Sequence, residues 1–155
     1  MFNRGFFDEV LGSHVGAARR GGPPVTVMMV DVDHFKRIND ERGHAEGDRT
    51  LRVIARALQR AVRGSDLVCR YGGEEFCIIL PGTSMGPAAR LAARIREEVP
   101  AACEQSGLSH GSPITVTIGV AECPADGDQV DDVVRAADLR LYRGKGAGRD
   151  RVVAA

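Results

Sequence analysis

The sequence predicts an α/β (α+β) domain in which a mixed central β-sheet is flanked by helices. Segments with helically spaced apolar residues alternate along the chain with short β-branched runs, and two of those runs are separated by paired glycines, as in a hairpin. With 155 residues, the chain suffices for one core and not for two ordinary domains. Helices interleaved with strands, plus one hairpin, imply a mixed sheet with helices packed against it.

Each element follows from its pattern. Phe7, Val10 and Leu11 mark a first helix, which "RRGGPP" breaks before "VTVMMVDVD", a buried strand ending in acids. "HFKRIND" reads as a short helical turn, and Leu51, Ile54, Ala55, Leu58 and Val62 form one face of a longer helix. "LVCRY" and "EEFCIIL" are strands joined by Gly72-Gly73, because paired glycines tolerate the positive φ of a primed two-residue turn. Leu91, Ile95 and Val99 mark a helix after "PGTSMGP", and "ITVTIGVAEC" alternates as a half-buried strand does. "VDDVVRAADLRLY" is again helical, and "RGKGAGRDRV" is a glycine-rich basic turn into a short last strand.

Composition excludes several functions. The chain has 43% apolar and 27% charged residues, and its 21 Lys+Arg balance 21 Asp+Glu. Without a basic excess it lacks the electrostatic footprint of a DNA or RNA binder, so any nucleotide it takes is small. No apolar run approaches the roughly 18 residues of a membrane span and the start lacks a signal-peptide core, so no membrane contact and a cytoplasmic location are expected. Cys69, Cys77, Cys103 and Cys123 show no CxxC spacing and are expected to be free thiols. With Tyr71 facing Glu74 across a two-residue turn, Cys69 and Cys77 would not pair directly.

The candidate chemistry is acidic. Asp31 and Asp33 end the first strand two residues apart and so point to one face of its pleat. Acids also end strands without further purpose, and "GGEEF" can be an ordinary hairpin with a solvated tip. If the first strand is central and the hairpin lies beside it, Asp31 and Glu74 converge. Two carboxylates about 4 Å apart repel by about 4 kcal/mol at an effective dielectric near 20, so the pair needs a cation, a shared proton or water. Magnesium suits it, being a hard ion that keeps positions open for phosphate.

"RYGGEEF", with "VDVDHFKRINDERGHAEGD" upstream and "AADLRLYRGKGAGRDRV" downstream, resembles the GGDEF-domain family of bacterial diguanylate cyclases in its GGEEF spelling, from Asn3 to Val153. The resemblance implies a sheet like the palm of nucleotide cyclases and polymerases, and a reaction joining two GTP into cyclic di-GMP with release of two pyrophosphates. It implies two Mg2+ (or Mn2+) ions per active site, held by Asp31, Glu74 and the carbonyl of Val32. Glu74 would also take the hydroxyl proton, with Glu75 supporting it. Lys36, Lys145 and Arg149 would meet the triphosphate, as would the backbone N–H groups of His34 and Phe35, and Lys36 would serve catalysis. Asn39 and Asp48 would read guanine, whose N1–H and N2 donors suit a carboxylate; Asp48 could otherwise cap the following helix. Gly72 and Gly73 would let the nucleotide approach the backbone. Arg63 and Asp66 match an RxxD site at which product cyclic di-GMP inhibits. Arg94 matches a secondary contact supplied by a neighbouring subunit, although Glu98 at i+4 could simply pair with it.

Two departures stand out: Gly144 and Asp150 replace the usual Ala and Asn, which would loosen the basic turn. The DxLTGL stretch that usually precedes the asparagine matched by Asn3 is absent, which implies a fragment of a longer signalling protein with an upstream sensory or receiver domain. A homodimer is expected for catalysis, since each domain would hold one GTP. The alternative is a cyclic di-GMP receptor that has lost turnover; a third reading is an interaction module whose acidic turn binds nothing.

Overall fold

A computed structural model describes residues 4–109 and 111–155, so the match at Asn3 lies outside them. The elements run α1 (Arg4–Arg19), β1 (Val25–Val32), α2 (Phe35–Arg42), α3 (His44–Ala61), β2 (Leu67–Arg70), β3 (Glu75–Pro81), α4 (Met85–Gln105), β4 (Val116–Cys123), α5 (Val130–Gly146) and β5 (Val152–Val153). The sheet order is β2-β3-β1-β4-β5. All neighbours are antiparallel except β4 and β5, which are parallel, so the sheet is mixed as expected.

β1 is central, and its pleat divides the core. Met28, Val30 and Val32 point to one face, where Phe35, Ile38, Leu51, Ile54, Leu58 and Ile95 cover them from α2, α3 and α4. Val25, Val27 and Met29 point to the other, against Phe7, Leu11 and Val15 of α1 and Val133, Ala137 and Leu141 of α5. Every residue of β1 is buried, which explains a run of eight with no polar alternation. Burial of each large aliphatic side chain contributes about 1.5–3 kcal/mol relative to exposure.

Four local expectations need correction. β4 is buried on both faces, not half-buried. Thr117 and Gly119 do not face water: Thr117 turns to a buried aspartate, and a Cβ on Gly119 would lie 2.1 Å from the Ala137 carbonyl oxygen, so α5 packs on bare backbone there. α5 continues through Gly146 instead of stopping at Tyr142, so Lys145 is helical and the turn begins later. α3 begins at His44 after Gly43, which puts Asp48 in its second turn and removes the capping role.

The fourth concerns the hairpin. Cys69 lies directly opposite Cys77 and Arg70 opposite Phe76, while the N–H groups of Tyr71 and Gly72 both donate to the Glu75 carbonyl, at 2.9 and 3.2 Å. The connection is therefore a three-residue loop, Gly72-Gly73-Glu74, and neither glycine has positive φ. All four cysteines are free and buried; burial pushes the thiols up, that of Cys103 to about 11, so they remain neutral core groups.

Candidate active site

The sheet order puts the end of β1 beside the hairpin loop. Asp31 pairs with Glu75 of β3 and Thr117 of β4, and the Val32 N–H donates to the Glu74 carbonyl at 3.2 Å. Asp31 and Glu75, 44 positions apart in sequence, therefore pair because β1 is central and β3 is its neighbour, the one condition that sequence left open. The acidic tip is not an isolated solvated turn: Glu74 and Glu75 are half-buried, and the strand residue opposite Glu75, Asp31, is 3% exposed.

Electrostatics follow from that placement. Burial pushes the Asp31 carboxyl above its ordinary range, against the pull of Lys145, whose Nζ lies 2.9 Å from Asp31 Oδ2. The Asp33 charge adds to the rise and Arg149 opposes it. Burial also raises Glu74, followed by repulsion from Asp31, with Lys145 again pulling down. Glu75 rises for the same first two reasons, with Asp138 adding to them. Asp31, Glu74 and Glu75, with Asp33 and Asp138 near them, thus share a region with the Lys145 ammonium.

Among the described residues no group of three His, Cys, Asp or Glu side chains is already gathered as a metal cage. The donor set nonetheless fits a hard divalent ion: Asp31 and Glu74 supply carboxylate oxygens whose mutual repulsion a cation relieves, and Lys145 now supplies part of that relief. Asp33 does not belong to the set. Its Oδ1 accepts from Thr117 Oγ1 at 2.6 Å, and its Oδ2 from Thr115 Oγ1 at 2.7 Å and from the Asp150 N–H at 3.0 Å.

The hairpin loop is held by its own strand. Arg70 donates from Nε to the Gly72 carbonyl at 3.3 Å and from Nη2 to the Gly73 carbonyl at 2.7 Å. A Cβ on Gly72 would stand 2.8 Å from Glu75 Oε2, whereas Gly73 faces open space. The first glycine makes room for a glutamate, and the second leaves the backbone open to a ligand. Arg70 went unread in the sequence because an arginine before a turn is usually a solvated strand end.

His34 precedes α2 in the left-handed conformation at φ 55°, unusual for a residue with a Cβ. As at any helix start, the first N–H groups of α2 that follow it, including that of Phe35, have no acceptor within the helix. Lys36 is exposed on the same turn. Asn39 packs onto α3, where Gly47 leaves space: a Cβ at Gly47 would lie 1.9 Å from Asn39 Oδ1. Asp48 follows directly, exposed, on the wall of a groove of about 450 Å³ shared with Leu51, Arg52, Arg70 and Phe76. The two candidate guanine readers are thus neighbours through a glycine, detectable in sequence only as a helix-disfavouring residue inside a helical period.

A second groove, of about 370 Å³, is lined by Arg63, Asp66, Thr83, Arg90 and Arg94. Asp66 Oδ2 accepts from the Arg63 N–H at 2.9 Å and lies 3.6 Å from its Nε, while Arg63 Nη2 donates to Thr83 Oγ1 at 2.9 Å. The turn-capping pair is therefore real, and the Arg63 side chain remains exposed above it. Arg94 lies in the same groove of the same chain, donating to the Ala61 carbonyl at 2.5 Å and standing 3.5 Å from Glu98. Arg90 was not singled out in the sequence and carries no ion pair among the described residues.

Residues 1–151 match the family described as "Diguanylate cyclase, GGDEF domain". The chain belongs to that family. It is 40% identical to the response regulator PleD of Caulobacter vibrioides over 99% of its own length and 34% of PleD. It is 38% identical to the diguanylate cyclase DgcP of Pseudomonas aeruginosa, over 97% of this chain and 22% of that protein. The chain thus spans about a third or less of the length of these two relatives. The solved GGDEF domain of DgcB from Caulobacter crescentus, in complex with c-di-GMP, superposes with a TM-score of 0.82 at 33% identity, covering 99% of this chain and 88% of that one.

Proposed function

We propose that the chain is a diguanylate cyclase domain that condenses two GTP into cyclic di-GMP with release of two pyrophosphates. The observation that carries this reading is the meeting of Asp31 and Glu74 beside Lys145 and Arg149, at the end of a central strand, in a chain of this family. Asp31, Glu74 and the Val32 carbonyl would hold two Mg2+ or Mn2+ ions. When bound, such ions neutralise the triphosphate and acidify the attacking 3′-hydroxyl.

The chain's own residues supply the rest. Asn39 and Asp48 orient guanine through its N1–H and N2 donors, an edge that adenine does not offer. Lys36, Lys145, Arg149 and the N–H groups of His34 and Phe35 hold the triphosphate by charge-assisted hydrogen bonds. Glu74, whose carboxyl is pushed above its ordinary value by burial, takes the hydroxyl proton, and Glu75 braces it. Gly73 leaves the loop open to the nucleotide. One chain offers one such site, so two chains must face each other before a 3′-hydroxyl can reach a second α-phosphorus.

Product inhibition at the groove of Arg63, Asp66 and Arg94 belongs to the same proposal, since arginine forks suit both phosphate and the guanine O6/N7 edge. The same groove supports the second reading, a receptor that binds cyclic di-GMP without making it. The deciding experiment supplies GTP and magnesium to the chain fused to a constitutive dimeriser, beside its Glu74→Gln variant. Cyclic di-GMP from the parent, reduced about 10²-fold or more in the variant, is expected; no product from the dimeric parent favours the receptor.

A further inference from the structure

Arg149 and Asp150 are consecutive residues with side chains in the left-handed region, at φ 64° and 44°. L-residues avoid that region because Cβ crowds the following carbonyl, and such a pair persists only where its surroundings hold it. The holding is visible. The Asp150 N–H donates to Asp33 Oδ2 at 3.0 Å, and Arg96 Nε, from α4, donates to both the Asp150 carbonyl and Oδ1 at 2.9 Å. Asp33 is itself fixed by Thr115 and Thr117. On the other side of the turn, the Arg149 N–H donates to the Gly144 carbonyl at 3.0 Å and the Ile118 N–H to the Arg151 carbonyl at 2.9 Å.

Asp150 therefore does not loosen the turn; its carboxylate fastens it to α4, the one long-range ion pair that turn makes among the described residues. The turn's placement has a chemical consequence, because the Arg149 N–H is tied to Gly144, next to Lys145, whose Nζ stands 2.9 Å from Asp31 Oδ2. We propose that Arg96 and Asp33 are positioning residues for Arg149: clamped from two sides at Asp150, the left-handed turn aims a guanidinium at the phosphates of the nucleotide. Asp33, although two residues from Asp31, serves the phosphate side of the site and not the metal. This inference rests on the nucleotide reading above.

The test is binding, not turnover. With magnesium present, titration calorimetry on the dimeric fusion compares guanosine with a GTP analogue carrying a methylene between the α and β phosphorus atoms. The quantity read is the triphosphate advantage, the ratio of the two Kd values. Arg149→Ala should cut that advantage about tenfold or more, the loss of a charge-assisted bond. Arg96→Ala should cut it about threefold to tenfold with the guanosine Kd and the thermal midpoint unchanged, since Arg96 is 39% exposed. Arg96→Lys, which lacks the planar fork, should restore it only in part. Asp33→Asn, which sets an amide donor against the Asp150 N–H, should lower it as well. If Arg96→Ala and Asp33→Asn keep the parent's advantage while Arg149→Ala loses it, the clamp is refuted and the site stands. Equal losses for guanosine and analogue would also refute it, as damage to the whole fold. An unchanged Arg149→Ala would remove Arg149 from triphosphate binding and take the underlying reading with it.

Discussion

Asp31 illustrates how one buried carboxylate sets the chemistry around it. Because Asp31, Glu74 and Glu75 are all raised, first by burial, the folded chain binds more protons than the unfolded chain above the ordinary carboxylate range of about 4. Stability from these groups is therefore present at low pH and lost as pH rises through their raised values. A divalent ion competes with those protons. Mg2+ should raise the thermal midpoint more at pH 7 than at pH 5, and Glu74→Gln should flatten the difference; an equal rise at both pH values would contradict the assignment. Gly47 and Gly119 make the matching argument for absent side chains. Gly47→Ala would displace Asn39 and weaken guanosine binding, read by calorimetry. Gly119→Ala would drive a methyl into the α5 backbone and lower unfolding free energy by about 1–3 kcal/mol, read by denaturant titration.

At the scale of elements, the parts of the site with a local signal were legible and the parts that depend on pairing were not. The buried β1 run ended in acids and the hairpin announced itself with glycines, so Asp31 and Glu74 could be named before the sheet order that brings them near each other was known. The loop length could not: two or three residues fit "YGGEEF" equally well, and only the register of Cys69 opposite Cys77 separates them. β4 read as half-buried because threonine counts as polar, while Thr117 spends its hydroxyl on Asp33. α5 outran its expected end because Gly144 disfavours a helix by propensity, yet it lies against Thr117, where a Cβ would stand only 2.6 Å from Thr117 Cγ2. At the second groove, α4 and the turn after α3 bring Arg63, Asp66 and Arg94 together. Calorimetry with cyclic di-GMP should show binding lost or weakened at least tenfold in Arg63→Ala; equal affinity would leave Arg63 as no more than the partner of Asp66.

At the scale of the whole molecule, the sheet separates two sets of work. α2 and α3 carry the candidate guanine readers on one face, and α5 brings Lys145 from the other, so the site lies where both layers end at the edge of β1 and β3. Among the described residues no helix is long and apolar enough to cross a membrane. On the proposed reading the domain supplies half of a reaction centre, and its turnover should rise with the concentration of paired chains while its nucleotide affinity should not. All of this requires that Asp31 and Glu74 share divalent metal beside a guanosine triphosphate. The direct measurement counts bound Mn2+ by electron paramagnetic resonance with the methylene GTP analogue present. Two ions per chain are expected for the parent and fewer for each of Asp31→Asn and Glu74→Gln; the same count in parent and both variants would contradict the account.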